Sequence, residues 1–158
     1  MDIFTQQLLN GIVLGSVYAM VAVGYTMVYG ILQLINFAHG EVLMVGAMLG
    51  LSFVTFVTAV YPSLPAVFIL VGAIRVAAVA CPILSATIER VAYKPLRKAP
   101  RLAPLITAIG VSIILQTLAM IIWGANPKVF PDLLPTNTFL IGGAIIAPKQ
   151  LLILFVAF

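Results

Sequence analysis

Long apolar runs separated by short polar segments dominate the chain. Because about 20 consecutive apolar residues cross a bilayer, three of these runs predict membrane-spanning helices at 41–60, 66–88 and 102–123. The segment 61–65 contains two prolines and predicts a turn between the first two of these helices. After residue 150 the chain becomes apolar again, which predicts the start of a further helix at 151–158.

The first apolar run, residues 8–35, is too long for a single upright helix. As one helix it would measure about 42 Å, against a hydrocarbon core of about 30 Å, so it must tilt strongly or break. We predict a first helix at 8–28, followed by a broken or re-entrant segment near residues 30–41. The expected places for the break are Gly24, Thr26 and Gly30.

The segment between the last two helices is long, and most of it predicts a loop. Within it, two short apolar stretches at 139–141 and 144–146 flank a pair of glycines, which is a signal for a two-residue β-hairpin. The chain as a whole predicts an all-α membrane protein. We expect a polytopic helical bundle forming a single transmembrane domain over residues 1–158, with four full transmembrane helices plus a truncated fifth.

The predicted fifth helix is too short to cross the membrane. Its eight residues make about 12 Å of helix, where about 30 Å is needed to cross the membrane. We therefore expect the chain to be the N-terminal part of a longer protein.

Composition supports a membrane protein and locates the positive charge. Hydrophobic residues make up 63% of the chain and charged residues 8%, far below the roughly 25% of a water-soluble domain. Most of the basic residues lie in one loop, 89–101, which favours a role in topology over nucleic-acid binding. Since such loops stay in the cytoplasm and three membrane-spanning helices precede this one, the N-terminus is predicted to lie outside, on the opposite face of the membrane. The residues that either contact lipid head groups or dock a cytoplasmic partner are Arg90, Lys94, Arg97, Lys98 and Arg101.

Asn36, His39 and Glu41 form the only concentrated polar group in the first 74 residues. Polar groups at membrane depth are costly unless they face protein or water. They therefore either line a translocation pathway beside a broken helix, or Asn36 and Glu41 cap the second helix. One histidine and one carboxylate supply too few ligands for a metal ion, so we expect no metal site.

Small residues four positions apart predict close helix packing, because they let two backbones approach each other. Arg75, within the third helix, would cost about 2.5 to 3.5 kcal/mol in the membrane, so it should meet carbonyl groups, a wet cavity or a separate subunit. The chain contains no phosphate loop and no nucleophile with a base at useful spacing, so it predicts neither an enzyme nor a cofactor site. The packing glycines are Gly11, Gly15, Gly46 and Gly50.

Three segments, in order, resemble the LivH-type permease subunits of branched-chain amino acid ABC importers. They are GYTMVYG at 24–30 leading into INFAHGE at 35–41, IERVAYKPLR at 88–97, and APLITAIG at 103–110. The resemblance covers the chain except for a weaker patch at about 52–85.

The resemblance implies a permease subunit of the bacterial inner membrane, in an ATP-driven importer for branched-chain or similar amino acids. Its implied partners are a second homologous permease subunit, two cytoplasmic ATPase subunits that use ATP and Mg, and a periplasmic solute-binding protein. Proteins of this family are about twice as long, which is why we expect the N-terminal half here. The alternatives are a non-transporting membrane scaffold or assembly subunit, and an inactive gene fragment.

Overall fold

A computed structural model describes residues 2–32, 36–96, 99–100, 102–131, 139–141 and 144–157. Within these residues, four helices are long and apolar enough to cross a membrane, and a shorter apolar helix follows them. The predicted all-α class, with four full helices plus a shorter fifth, is therefore confirmed. The helices are α1 (Asp2–Leu32), α2 (His39–Val60), α3 (Ala66–Ile88), α4 (Leu102–Trp123) and α5 (Pro148–Ala157).

Helix α1 is longer than predicted and has no break in its second half. It passes through Gly24, Thr26 and Gly30 without interruption, so the prediction of a break at these residues is wrong. The hydroxyl of Thr26 donates to the carbonyl oxygen of Val23 at 2.9 Å, a bond made within the helix. An isolated glycine costs a helix only about 1 kcal/mol, which the long apolar segment around it tolerates. The described part of α1 ends at Leu32, and residues 36–38 form a turn before α2, inside the segment where an interruption was expected.

Helices α2 and α3 are antiparallel and in close contact. Gly46 of α2 lies beside Cys81 of α3, whereas Gly50, one turn further along α2, lies beside Ala73. Such small residues let the backbones approach, as in many membrane helix pairs. The buried residues of α2 recur every four positions and form one row along the helix: Val42, Gly46, Gly50 and Val54.

Helical geometry continues beyond α3 into the region predicted as a basic loop. Glu89–Tyr93 form a π-helix, in which the backbone N–H of Lys94 donates to the carbonyl oxygen of Glu89, and Lys94–Leu96 form a 3-10 turn. The first half of the predicted loop is therefore helical. No proline or glycine occurs between Ile88 and Lys94, so nothing in the local sequence ends the helix there.

Helix α4 ends at Trp123 and is followed by Gly124, and a short hairpin precedes α5. Gly124 has a φ of 84° and its N–H donates to Met120 at 2.9 Å, an arrangement that glycine favours at helix ends. Strands β1 (Phe139–Ile141) and β2 (Ala144–Ile146) pair antiparallel. The predicted hairpin is confirmed, although its two connecting glycines lie outside the described residues. Helix α5 begins at Pro148, where proline is favoured in the first turn.

The chain divides into two compact units. One comprises Met1–Ile31 and Asp132–Phe158, and the other comprises Leu32–Pro131. In the first unit, the Gln150 side chain donates from Nε2 to Asn10 Oδ1 at 3.2 Å and so links α5 to α1. The second unit holds α2, α3, α4 and the polar group at the start of α2. A single transmembrane domain over the whole chain stays a prediction.

Candidate functional site

The carboxylate of Glu41 links the first turn of α2 to α4. Its Oε1 accepts a hydrogen bond from the Ser112 hydroxyl at 3.0 Å and another from Gln116 Nε2 at 2.6 Å. Ser112 and Gln116 are four residues apart, so they lie on one face of α4. A half-buried carboxylate is thereby fixed by two donors from a neighbouring helix.

A second hydrogen bond between α2 and α4 shows which part of α4 lies beside Glu41. Trp123 Nε1 donates to Ser52 Oγ at 2.8 Å. Glu41 and Ser52 are separated by the same distance in sequence as Ser112 and Trp123, so α2 and α4 run parallel. Since Ser112 lies near the middle of Leu102–Trp123, Glu41 lies beside the middle of α4 and not beside its end.

Asn36 connects the segment before α2 to the π-helix that follows α3. Its Oδ1 accepts hydrogen bonds from the Tyr93 hydroxyl at 2.8 Å and from the backbone N–H of Ala38 at 3.1 Å. Its backbone carbonyl accepts from the N–H of His39 at 3.1 Å. Asn36 therefore holds a turn just before α2, as asparagine side chains often do, and ties this turn to another part of the unit.

The hydrogen bonds of Asn36 and Glu41 test whether these two residues only cap α2. The N-cap residue of α2 is Ala38, whose own side chain makes no cap hydrogen bond, and the Asn36 side chain accepts from the N–H of Ala38 rather than from the first turn of α2. The Glu41 carboxylate accepts its hydrogen bonds from α4 and not from the free N–H groups of its own helix. His39 begins α2 and is half-buried. Capping therefore does not describe the side-chain contacts of Glu41.

The remaining predicted site residues are only partly described. Arg90 and Lys94 are exposed, on the π-helix and at the start of the 3-10 turn, whereas Arg97, Lys98 and Arg101 lie outside the described residues. Arg75 is also exposed, on α3, and its partner stays a prediction.

The four predicted packing glycines have different surroundings. Gly46 and Gly50 are buried and lie against α3. At Gly11 and Gly15, no described atom lies within 4 Å of the position that a Cβ would take. The structure thus places only the α2 pair within a described helix contact.

The sequence model of the permease component of branched-chain amino acid transport systems matches residues 7–158. The chain belongs to this permease family. The resemblance predicted from three short segments is therefore confirmed, and it extends over almost the whole chain.

Two relatives show how far the similarity reaches. The chain is 43% identical, over 161 residues, to the high-affinity branched-chain amino acid transport system permease protein BraD of Pseudomonas aeruginosa, covering 98% of this chain and 52% of BraD. It is 46% identical, over 133 residues, to LivH of Escherichia coli K12, covering 82% of this chain and 42% of LivH. The chain spans about half the length of the curated relatives it matches. No solved structure matches it.

Membership in a permease family, together with four long apolar helices, makes the chain a multi-pass membrane protein. Three residues that the sequence analysis missed donate hydrogen bonds to the predicted site residues Asn36 and Glu41: Tyr93, Ser112 and Gln116. A signal for the last two was present, because two polar residues four apart in an apolar helix share one face. Tyr93 gave no such signal, since tyrosine is ordinary near a membrane boundary.

Proposed function

We propose that this chain forms part of the translocation pathway of an ATP-driven importer for branched-chain or similar amino acids in a bacterial inner membrane. The observation that carries the proposal is the Glu41 carboxylate, which α4 holds near its own middle in a chain of the branched-chain amino acid permease family. A carboxylate at that depth is costly unless it faces protein or a water-filled path. Asn36, His39 and Glu41 are the proposed pathway residues.

In the proposed assembly, partner subunits that hydrolyse ATP would supply the energy for transport. A second homologous permease subunit would complete the pathway, two cytoplasmic ATPase subunits would bind ATP and Mg, and a periplasmic binding protein would deliver the amino acid. Exposed Arg90 and Lys94 are proposed to contact the ATPase side of the assembly or anionic lipid. Interruption of the helical chain before α2 supports this proposal, because transporters often place substrate sites at discontinuous helices.

The proposed orientation places the segment 89–101 in the cytoplasm and the N-terminus in the periplasm, and cysteine labelling tests it. In a Cys81→Ala background, Ser63→Cys should react with an impermeant maleimide from the periplasmic side and Lys98→Cys only from the cytoplasmic side. The physical reason is that segments rich in lysine and arginine are retained inside the cell. Labelling of both positions from one side would contradict the proposed orientation.

Uptake with and without partners tests the function itself. The chain is co-expressed with candidate second-permease, ATPase and binding-protein subunits, and ATP-dependent uptake of radiolabelled leucine is measured against membrane abundance. We expect the chain to co-purify with the permease and ATPase subunits, and uptake to require both the chain and ATP. Co-purification without uptake would support a scaffold or assembly subunit instead. Absence of both would support an inactive fragment.

A further inference from the structure

Among the residues that the structure describes, the hydrogen bonds around Glu41 leave several acceptor atoms unused. Both described donors end on Oε1, so the second carboxylate oxygen, Oε2, has no described donor and can accept from a bound group. Gln116 donates through Nε2, which leaves its carbonyl oxygen as an acceptor, and the Ser112 oxygen retains lone pairs after its proton is donated. The cluster thus offers acceptors from three side chains and carries one negative charge.

The chemistry of this cluster fits a primary ammonium group. An ammonium carries one positive charge and three N–H donors on a compact centre, which match a carboxylate flanked by neutral oxygens. Mg²⁺ or Ca²⁺ would need six or more oxygen ligands, usually with more than one carboxylate. Glu41 is half-buried and Gln116 is exposed, so a ligand can reach the cluster while part of it stays shielded.

Exposed aliphatic side chains lie next to the same cluster on α4. Ile109 and Ile113 are exposed by 44% and 57%, and with Ser112 and Gln116 they occupy a sector about 100° wide at 3.6 residues per turn. A branched aliphatic group attached to an ammonium would therefore find apolar side chains on the same face of α4 that carries Ser112 and Gln116.

We propose that Glu41, Ser112 and Gln116 form a binding site for a primary ammonium group carried on a branched aliphatic chain. Identifying this ligand as the α-ammonium of an amino acid rests on the function proposed above. The carboxylate supplies charge, the two α4 residues fix its orientation, and the neighbouring isoleucines contact the aliphatic part.

Protection from chemical modification tests the site in the full chain, purified into lipid nanodiscs. Dicyclohexylcarbodiimide modifies carboxyl groups in apolar surroundings, and peptide mass spectrometry measures the unmodified fraction of Glu41 relative to Glu89 in the same sample. Loss of the unmodified residue includes both the carbodiimide adduct and the amide that forms when a probe amine displaces the urea, and Glu89 reports any reagent consumed by probe carboxylates. Four probes are compared. Leucine and isopentylamine carry the ammonium and the branched chain, 4-methylpentanoate carries the chain with a carboxylate only, and sodium chloride supplies a cation without N–H donors.

We expect leucine and isopentylamine to lower modification of Glu41 about tenfold once each is about ten times above its dissociation constant, by mass action. Modification of Glu89 should stay unchanged. The double variant Ser112→Ala, Gln116→Leu should need more of either amine for half protection. A matched control, Ser52→Ala, loses the other hydrogen bond between α2 and α4 and should leave protection unchanged.

Two results would overturn the ammonium site: no protection by either amine, or equal protection by 4-methylpentanoate or sodium chloride. Full protection of Glu41 in the double variant would show that Ser112 and Gln116 are not part of the binding site. The assay contains neither ATP nor partner subunits, so its failure does not bear on uptake. Absence of uptake in the assembled system would bear only on the proposed function.

Discussion

Replacing Gly46 by alanine is expected to lower the free energy of unfolding of the chain by about 1–3 kcal/mol. A Cβ at this position would meet the Sγ atom of Cys81 on α3. That sulfur also lies 3.6 Å from the carbonyl oxygen of Val42, so turning it away gives up a weak hydrogen bond. Unfolding in mixed detergent micelles, followed by circular dichroism, measures the change.

A double-mutant cycle separates this clash from a general effect of alanine. Cys81→Ala removes the sulfur, so Gly46→Ala should cost much less in that background, because its other near neighbour, the Ala77 Cβ, lies at an ordinary 3.9 Å. Gly50→Ala is the matched control on the same buried row, since its nearest contacts are 3.8 and 4.0 Å. An equal cost for Gly46→Ala with and without the thiol would show that the sulfur is not the cause.

Replacing Glu41 by glutamine is expected to lower leucine uptake by the assembled transporter about fivefold to thirtyfold, at unchanged membrane abundance. The amide oxygen of glutamine still accepts from Ser112 and Gln116, so the contact between α2 and α4 persists while the negative charge is lost. Hydrogen bonds to a charged group exceed neutral ones by about 1–2 kcal/mol, and each 1.4 kcal/mol is a factor of ten. Initial uptake rates at several leucine concentrations measure the loss.

The control for Glu41→Gln is Ser52→Ala, which removes the hydrogen bond from Trp123 in the same helix pair without changing charge. Its uptake should stay close to that of the unmodified chain. Normal uptake by the Glu41→Gln variant would contradict a role for Glu41 in the pathway. Glu41 would then serve only to hold α2 against α4.

The positions of the helices could be predicted from the sequence more accurately than the contacts between the helices. Helices α3 and α4 lie at the predicted ranges, because proline-containing turns and unbroken apolar runs define them locally. The end of α1 was misplaced, since single glycines in an apolar run do not decide whether a helix continues. The hairpin was predictable because its two glycines and flanking apolar residues are adjacent in sequence.

The partners of the polar residues could not be predicted in the same way. Glu41 and Ser112 are far apart in sequence, and their contact depends on the stagger between α2 and α4, which no local pattern encodes. The contact between Asn36 and Tyr93 depends in addition on the π-helical geometry of Glu89–Tyr93. The sequence could therefore place Asn36 and Glu41 as site candidates without naming the residues that hold them.

The π-helical segment Glu89–Tyr93 lets the chain hold one residue more before position 93 than an ordinary α-helical turn would. A π-turn accommodates roughly one residue more than an α-turn, and one residue corresponds to about 100° of rotation around the axis. Because the π-turn holds the extra residue, the side chains after it keep nearly the direction they would have in an α-helix one residue shorter, and the Tyr93 phenol reaches Asn36. A change of length by one residue within Glu89–Tyr93 should therefore be tolerated better than the same change inside a regular helix, where it would turn every following side chain by about 100°.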